Sequence, residues 1–237
     1  MFWIGGKHTV IEALKNSKRI IKEIIVLDEE KKNFLQKFSK FNNIRTNNIK
    51  FFKKTFSEDI SHQGFAAYVK ELDKNNISID LKKNYLENNI IVLDDITDPR
   101  NIGSIIRSAV AFNIKALIIK QRGFNNKSHS MYKAASGCME KIKIYEVSNL
   151  VTTLNELKKY NYFITGLDSN TNSIFDKNTK FFPKNVFVFG SEEYGMRVLT
   201  KKICDQIIKI NIGNEVESIN VSNSVASFLS LYRFVHE

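Results

Sequence analysis

The amino-acid sequence predicts an α/β protein with a mostly parallel sheet covered by helices on both faces and a small α/β unit before it. From residue 90 onwards, short and almost purely apolar runs alternate with segments of helical periodicity, as in successive βα units. Before residue 73 the pattern is less regular and more basic. These observations divide the chain into an N-terminal domain (1–72), a polar linker with about one turn of helix (73–88) and a larger domain (89–237).

The N-terminal domain is expected to alternate short helices and strands. Thr9 is a candidate cap for a first helix, and IKEIIVL (21–27) has the composition of a strand. EEKKNFLQKFSKF (29–41) predicts an amphipathic helix with phenylalanines on one side. IKFFKKTF (49–56) and GFAAYVK (64–70) are interpreted as closing strands. Together they predict a small α/β domain.

The larger domain shows the pattern of a parallel sheet buried on both faces. Nearly continuous apolar runs are typical of such strands, and ligands bind at their carboxyl ends. The predicted strands are 90–93, 116–119, 141–147, 162–167, 186–190 and 206–212. The predicted helices are 101–112, 128–139, 149–160, 195–204 and 220–235. We therefore expect the functional residues to lie in the loops that follow strands.

The amino-acid composition excludes several classes of protein and indicates one class of partner. The 237 residues are 43% hydrophobic, and no apolar run is long enough for a membrane span or ordered like a secretory signal. Cys138 and Cys204 have no metal-like spacing and the four histidines are scattered, so we expect reduced thiols, a cytoplasmic location and no metal. The net charge of +11 indicates a polyanionic partner, although lysine-rich composition alone also produces such a charge.

Three of the strand-end loops are unusual. They read DPRNIG (98–103), GSEEYG (190–195) and IGNEVESINVS (212–222). Taken singly, each is explained by tight turns and helix caps, because Gly, Ser and Asn favour both. The chain contains no GxGxxG, Walker or GxSxG motif, so these loops do not indicate dinucleotide binding, a P-loop or a hydrolase nucleophile.

The helix after the first loop carries one arginine among small residues. Ile102, Ile105, Ile106 and Ala109 form an apolar stripe, and the other side reads Gly103, Ser104, Arg107, Ser108 and Ala111. A lone guanidinium on so bare a face predicts the close approach of something negatively charged. The alternative is an ordinary surface ion pair.

The three loops together resemble the signature motifs of the SpoU (TrmH) family, the 2′-O-ribose RNA methyltransferases of the SPOUT superfamily. The motifs are N-x-G-x-x-x-R (Asn101 to Arg107), G-x-E-x-x-G (Gly190 to Gly195) and S-I-N-V-S (218–222), in that order. Upstream, IGGKHTVIEAL (4–14) and SHQGFAAYV (61–69) resemble the N-terminal domain of the RlmB-like branch. That branch methylates a guanosine ribose of 23S rRNA.

The resemblance implies a fold, a cofactor and roles for particular residues. The larger domain would form a trefoil knot that binds S-adenosylmethionine through the backbone around Gly190, Ile210 and Ile219. The chain would be a homodimer. The residues with implied roles in catalysis or in organising the loops are Arg107, Asn101, Glu192, Ser218 and Asn220. The third motif has Ile219 where the family usually has leucine, a change that a main-chain contact tolerates.

Arg107 is expected to orient the RNA and to stabilise charge, because a free guanidinium is too basic to accept a proton unaided. The general base is left open. The basic N-terminal domain is expected to recruit RNA. Its Phe51, Phe52 and Phe56 are either a base-stacking patch or core, and we favour core.

The predicted function is S-adenosylmethionine-dependent 2′-O-methylation of a guanosine in 23S rRNA, on the free RNA or on a large-subunit precursor. Two alternatives remain: methylation of a tRNA ribose, and a non-catalytic rRNA-binding assembly factor. The joint presence of the five implied site residues argues against the second alternative.

Overall fold

Strands and helices alternate along the computed structural model, which describes residues 1–38, 41–56, 61–213 and 215–236. The strands are β1 (Phe2–Gly5), β2 (Ile21–Val26), β3 (Ile44–Thr46), β4 (Phe65–Val69), β5 (Asn89–Asp94), β6 (Ala116–Lys120), β7 (Lys143–Val147), β8 (Phe163–Leu167), β9 (Asn185–Gly190) and β10 (Gln206–Ile208). The helices are α1 (Lys7–Lys15), α2 (Glu29–Gln36), α3 (Ile49–Thr55), α4 (Ile77–Lys82), α5 (Pro99–Ala111), α6 (His129–Ala135), α7 (Leu150–Lys159), α8 (Val198–Ile203) and α9 (Val221–His236), with a 3-10 helix at Cys138–Glu140.

The chain forms two compact units, neither of which is continuous in sequence. The first unit contains Met1–Asp73, Ile102–Arg107 and Asn125–Lys141. The second unit contains Lys74–Asn101, Ser108–Phe124 and Ile142–Glu237. Two segments that follow the linker in sequence therefore belong to the same compact unit as the N-terminal residues.

The first unit is built on a four-stranded sheet in the order β1-β4-β2-β3. β4 pairs antiparallel with β1 and β2, and β2 pairs in parallel with β3. The predicted strands at 21–27 and 64–70 are confirmed as β2 and β4. The predicted strand at 49–56 is wrong, because Asn48 caps helix α3 with a side-chain acceptor for the N–H of Phe51. Phe52 and Phe56 are buried in the core of this unit, as we favoured.

Two other N-terminal predictions are corrected in detail. Thr9 lies inside α1, whose cap position is Gly6, and the Thr9 hydroxyl donates to the carbonyl of Tyr132 at 3.4 Å. The helix predicted over 29–41 begins at Glu29 after the cap Asp28 and ends at Gln36. Residues 39 and 40 of that prediction lie outside the described residues.

The second unit contains a six-stranded, entirely parallel sheet in the order β10-β8-β9-β5-β6-β7. All six predicted strands are confirmed, although β10 ends at Ile208 and is shorter than expected. Strands β5, β6 and β7 follow one another outwards from the middle, whereas β9 lies on the other side of β5. The direction of strand order therefore reverses between β5 and β9, the position at which parallel sheets usually bind ligands.

The segment treated as a linker contains helix α4. Asn76 caps it, and Ile77 and Leu81 are buried in the core of the second unit. Asp80 on the same helix accepts hydrogen bonds from Tyr145 and Lys143 of β7 at 2.6 and 2.9 Å. This part of the chain therefore packs on the sheet through both apolar and polar contacts.

Helix α5 has the predicted apolar stripe, and the stripe is buried. The side of α5 that carries small residues was expected to face a negatively charged partner. At Gly103 it faces another helix instead. A Cβ on Gly103 would lie 2.4 Å from the carbonyl oxygen of Met131 and 2.8 Å from the Cβ of Ala134. The close neighbour of this face within the first unit is therefore helix α6, and Gly103 is required by helix packing.

The architecture is α/β, with a parallel sheet flanked by helices and a smaller sheet in the N-terminal part, as predicted. None of the helices in the described ranges combines the length and apolar composition of a bilayer span. The trefoil knot stays a prediction that follows from the family resemblance.

Candidate active site

The carboxylate of Glu192 joins the three signature loops in the second unit. Its Oε1 accepts hydrogen bonds from the side-chain amides of Asn101 at 2.9 Å and Asn220 at 2.7 Å. It also accepts the backbone N–H of Val221 at 3.2 Å. The Asn220 amide donates in addition to Oδ1 of Asn101 at 3.0 Å. Residues separated by up to 119 positions thus form one hydrogen-bonded group.

The loop that carries Glu192 is shaped by its two glycines. Gly190 ends β9, directly opposite Asp94 at the end of β5. A Cβ on Gly190 would lie 2.1 Å from backbone atoms of Gly195 and Met196, so no side chain fits there. Gly195 has a positive φ of 66°, which favours glycine. Backbone hydrogen bonds in both directions between Ser191 and Gly195 then close the loop.

Asn220 has two roles at the third loop. Its Oδ1 accepts from the backbone N–H of Ser222 at 2.9 Å, which is the geometry of a helix cap at the start of α9. Its amide nitrogen is the donor to Glu192 and Asn101. The capping role proposed for this residue is therefore confirmed, and the same side chain also fixes the loop to the other two motifs.

A cavity of about 580 Å³ lies beside this group, at the carboxyl ends of β8 and β9. The predicted residues that line it are Gly190, Glu192, Ile210, Ser218 and Ile219. Asn101 and Asn220 are hydrogen-bonded to Glu192, which forms part of the cavity wall. The volume is in the range of small-molecule sites.

The cavity wall combines groups that suit S-adenosylmethionine. Leu167, Phe189, Ile210 and Ile212 supply apolar surface for an adenine ring. Asp168 and Glu217 supply carboxylates for the positively charged end of the molecule. Oδ2 of Asp168 is buried, and Nζ of Lys201 lies 2.5 Å away as its ion-pair partner. The residues present therefore fit this cofactor.

Arg107 is exposed on α5, six residues after Asn101. It forms no ion pair with any residue in the described ranges, so the surface ion pair considered as an alternative is not observed there. It belongs to the first unit, whereas the other predicted site residues belong to the second.

An acidic pair that was not predicted from the sequence lies at the end of β5. Asp94 is completely buried, and its Oδ2 accepts the backbone N–H of Arg197 at 2.9 Å. Asp95 is paired with the guanidinium of Arg197 and with Lys120. Burial works against ionisation of Asp95, but these two cations hold its pKa below the ordinary value. The signal was present, since two aspartates directly follow the apolar run of β5.

The predictions about metal ions and thiols concern side chains outside the Glu192 group. The described residues contain no grouping of three or more His, Cys, Asp or Glu side chains suited to a metal ion. Cys138 and Cys204 are free thiols. Burial, followed by the nearby charge of Asp205, raises the pKa of Cys204 to about 12, which favours the protonated thiol at neutral pH.

Comparison with known proteins identifies the family. Residues 88–230 match the model of the SpoU rRNA Methylase family. The chain belongs to this family. Residues 3–74 match a second model, described as RNA 2′-O ribose methyltransferase substrate binding. The two family matches thus cover both parts of the chain that the resemblance identified.

The similarity to relatives and to solved structures extends over nearly the whole chain. The 23S rRNA (guanosine-2′-O-)-methyltransferase RlmB of Blochmanniella floridana is 34% identical over 95% of this chain and 92% of its own length. A Staphylococcus saprophyticus protein named for the TrmH family of tRNA/rRNA methyltransferases is 31% identical over 97% and 93%. The crystal structure of the SpoU methyltransferase AviRb from Streptomyces viridochromogenes with AdoMet has a TM-score of 0.80 at 15% identity, and the match covers 99% of this chain and 91% of AviRb.

Proposed function

We propose that this family member transfers the methyl group of S-adenosylmethionine to the 2′-hydroxyl of a guanosine in 23S rRNA. The observation that carries the proposal is the Glu192 group, which connects the three signature loops beside a ligand-sized cavity at the carboxyl ends of β8 and β9. The RlmB relative, 34% identical over almost its full length, supports 23S rRNA guanosine as the substrate.

Cofactor binding is assigned to the backbone around Gly190, Ile210 and Ile219. All three line the cavity, and the tight packing at Gly190 keeps backbone atoms at the surface of the loop. Bound S-adenosylmethionine supplies a methyl group already activated by its sulfonium. The chain therefore has to align the ribose oxygen and manage the proton and the developing charge.

Arg107 is assigned the contact with RNA. An exposed guanidinium without a carboxylate partner in the described ranges is available to a phosphate, and it can stabilise negative charge as it develops on the 2′-oxygen. Asn101, Glu192 and Asn220 hold the loops in place, and Ser218 lies at the cavity wall. The group that accepts the proton is not assigned.

The remaining assignments concern the setting of the reaction. The N-terminal residues carry 15 Lys and Arg against 9 Asp and Glu up to residue 75, an excess that suits recruitment of RNA through phosphates. The match to a substrate-binding family over 3–74 supports this role. We place the enzyme in the cytoplasm as a homodimer, acting on 23S rRNA or on a large-subunit precursor.

A second candidate is methylation of a tRNA ribose. The Staphylococcus saprophyticus relative is named for both tRNA and rRNA and is 31% identical over almost the whole chain. The same cavity and the same Glu192 group would serve that reaction, because the chemistry at the ribose is identical.

The test offers methyl-labelled S-adenosylmethionine with unmodified 23S rRNA or bulk tRNA and then maps the labelled nucleotide. We expect label on one guanosine ribose of 23S rRNA. Arg107→Ala should lower the rate by at least about 100-fold without changing cofactor affinity, because one charge-stabilising donor contributes on that scale. Label on tRNA alone would exclude the rRNA assignment. Failure to label either RNA or an unmodified precursor particle, despite cofactor binding, would favour the assembly-factor alternative.

A further inference from the structure

The first unit contains a completely buried ion pair. The side chains of Arg19 and Glu140 are 0% and 2% exposed, and Nη2 of Arg19 lies 2.6 Å from Oε1 of Glu140. Nε of Arg19 donates to both carboxylate oxygens, at 3.0 and 3.1 Å. The remaining partners are also in place: Arg19 donates to the carbonyl of Lys70 at 2.7 Å, and Glu140 accepts from the amide of Asn16 at 2.7 Å.

Stability alone does not account for such a pair. Removing two charges from water is costly, and apolar side chains of similar volume often stabilise a protein equally well. A pair with all its polar partners in place does, however, define one geometry, because each hydrogen bond restricts the direction of the planar guanidinium.

The pair connects the N-terminal segment to helix α6 and the 3-10 helix. Arg19 precedes β2, whereas Glu140 ends the 3-10 helix, 121 positions later. Nη2 of Arg19 also donates to the hydroxyl of Tyr132 on α6 at 3.2 Å, and the hydroxyl of Thr9 on α1 donates to the Tyr132 carbonyl. One guanidinium therefore binds both consecutive helices.

The first of these helices, α6, packs directly on α5. Gly103 packs so closely on α6 that a Cβ would lie 2.4 Å from the Met131 carbonyl oxygen. Arg107 follows Gly103 by one helical turn and lies on the same side of α5. The charge of Arg107 also acts on Cys138, where burial raises the thiol pKa and the charges of Lys141 and Arg107 oppose that shift. All of these residues belong to the first unit.

We propose that Arg19 and Glu140 are positioning residues for methyl transfer, which hold α6 against Gly103 of α5 and thereby fix the turn that carries Arg107. This inference rests on the proposed function for its kinetic consequence. Its structural consequence, the order of α5 and α6, is independent of any reaction.

The kinetic test compares three proteins with the wild type. Glu140→Gln removes the charge and keeps the shape. Lys141→Gln is the matched control, because Lys141 is adjacent in sequence and its partly exposed ion pair with Glu12 of α1 also connects the N-terminal segment to the end of the 3-10 helix. Arg19→Met/Glu140→Leu replaces the whole pair with apolar side chains, which avoids leaving one buried charge without a partner.

The measurements are single-turnover methylation of an unmodified 23S rRNA transcript, S-adenosylmethionine and RNA dissociation constants, Tm, and the emission of the single tryptophan, Trp3. We expect Glu140→Gln and the double variant to methylate about 10- to 100-fold more slowly, since a misplacement of about 1 Å has effects of that size. Both dissociation constants should change by less than about threefold. Lys141→Gln should stay within about twofold of the wild type.

The double variant decides between positioning and simple stabilisation. If it folds with a native Tm and Trp3 emission and still reacts slowly, the specific geometry of the ion pair is required. A double variant that methylates at the wild-type rate would overturn the proposal, even if Glu140→Gln proves too unstable to assay.

Hydrogen exchange separates this inference from the proposed function. Peptides from α5 and α6 should exchange faster in Glu140→Gln than in Lys141→Gln, whereas peptides from β5 and β9 should be unchanged. If the wild type methylates no RNA but this exchange difference is present, the proposed function fails and the structural role of the pair stands. Equal exchange in the two variants would contradict the structural role itself.

Discussion

Gly190→Ala tests the assignment of the cofactor loop most directly. The new Cβ would lie 2.1 Å from backbone atoms of Gly195 and Met196, whereas ordinary contacts begin at 3.4 Å. The loop would therefore have to move by about 1.3 Å, the difference between these distances. Backbone is displaced rather than the end of a flexible side chain, and the neighbouring Met196 is buried in the core, so the strain has no easy release.

We expect this strain to destabilise the protein by about 3 kcal/mol, the upper part of the usual range for overpacking. For a chain of this length, that free energy corresponds to a Tm lower by about 6–12 °C. The same displacement moves the backbone that lines the cavity, and we expect S-adenosylmethionine to bind about 100-fold more weakly. Differential scanning calorimetry and isothermal titration calorimetry measure the two quantities.

Gly213→Ala is the control for Gly190→Ala. Gly213 lies in the third signature loop, and a Cβ there would have no heavy atom within 4 Å. The Gly213→Ala variant should have the wild-type free energy of unfolding and the wild-type free energy of cofactor binding, each within about 0.5 kcal/mol. If Gly190→Ala behaves like Gly213→Ala in both measurements, the close packing at Gly190 does not shape the cofactor site and the reasoning fails.

Two further predictions concern carboxylates of the second unit. Glu192→Ala removes the acceptor of three hydrogen bonds, a loss of about 2 kcal/mol after allowance for its exposure, so cofactor binding should weaken about 30-fold by calorimetry. Glu193→Ala should have almost no effect, and equal losses in both variants would refute a special role for Glu192. Burial opposes ionisation of Asp80, but Tyr145 and Lys143 hold its pKa below the ordinary value for an aspartate. This lowered pKa stabilises the fold above about pH 4 and ceases to do so as the pH falls through the folded-state pKa. Asp80→Asn should therefore lower Tm by about 2–4 °C at pH 7 and progressively less in acid; a difference that does not change between pH 7 and 3 would contradict this.

The parallel sheet was predictable because strands buried on both faces consist of apolar runs, and all six were located from such runs. The strand predicted at 49–56 failed because two adjacent phenylalanines fit either structure. The cap at Asn48 decides for a helix, and only one face of that helix is buried. Secondary structure was therefore predicted best for the strands that are buried on both faces.

The sequence predicted which residues belong to the candidate site, but it did not predict how their side chains are arranged. The resemblance selected Asn101, Glu192 and Asn220, but the shared contact at one carboxylate oxygen depends on the order of strands in the sheet. The bare side of α5 suggested a ligand, whereas at Gly103 it receives another helix. The pairing of Arg19 with Glu140 has no local signal at all, because it joins residues 121 positions apart.

That separation has a consequence for synthesis. A nascent chain released up to residue 73 has all four strands of the smaller sheet, yet Arg19 has no carboxylate partner until Glu140 leaves the ribosome. At about 5–20 residues per second, the 121 intervening residues delay that partner by about 6–24 s. During this interval the surface of the N-terminal segment that later receives Tyr132 is open. The N-terminal segment therefore completes its fold only after β5 and β6, the first two of the six strands of the larger sheet, have been synthesised.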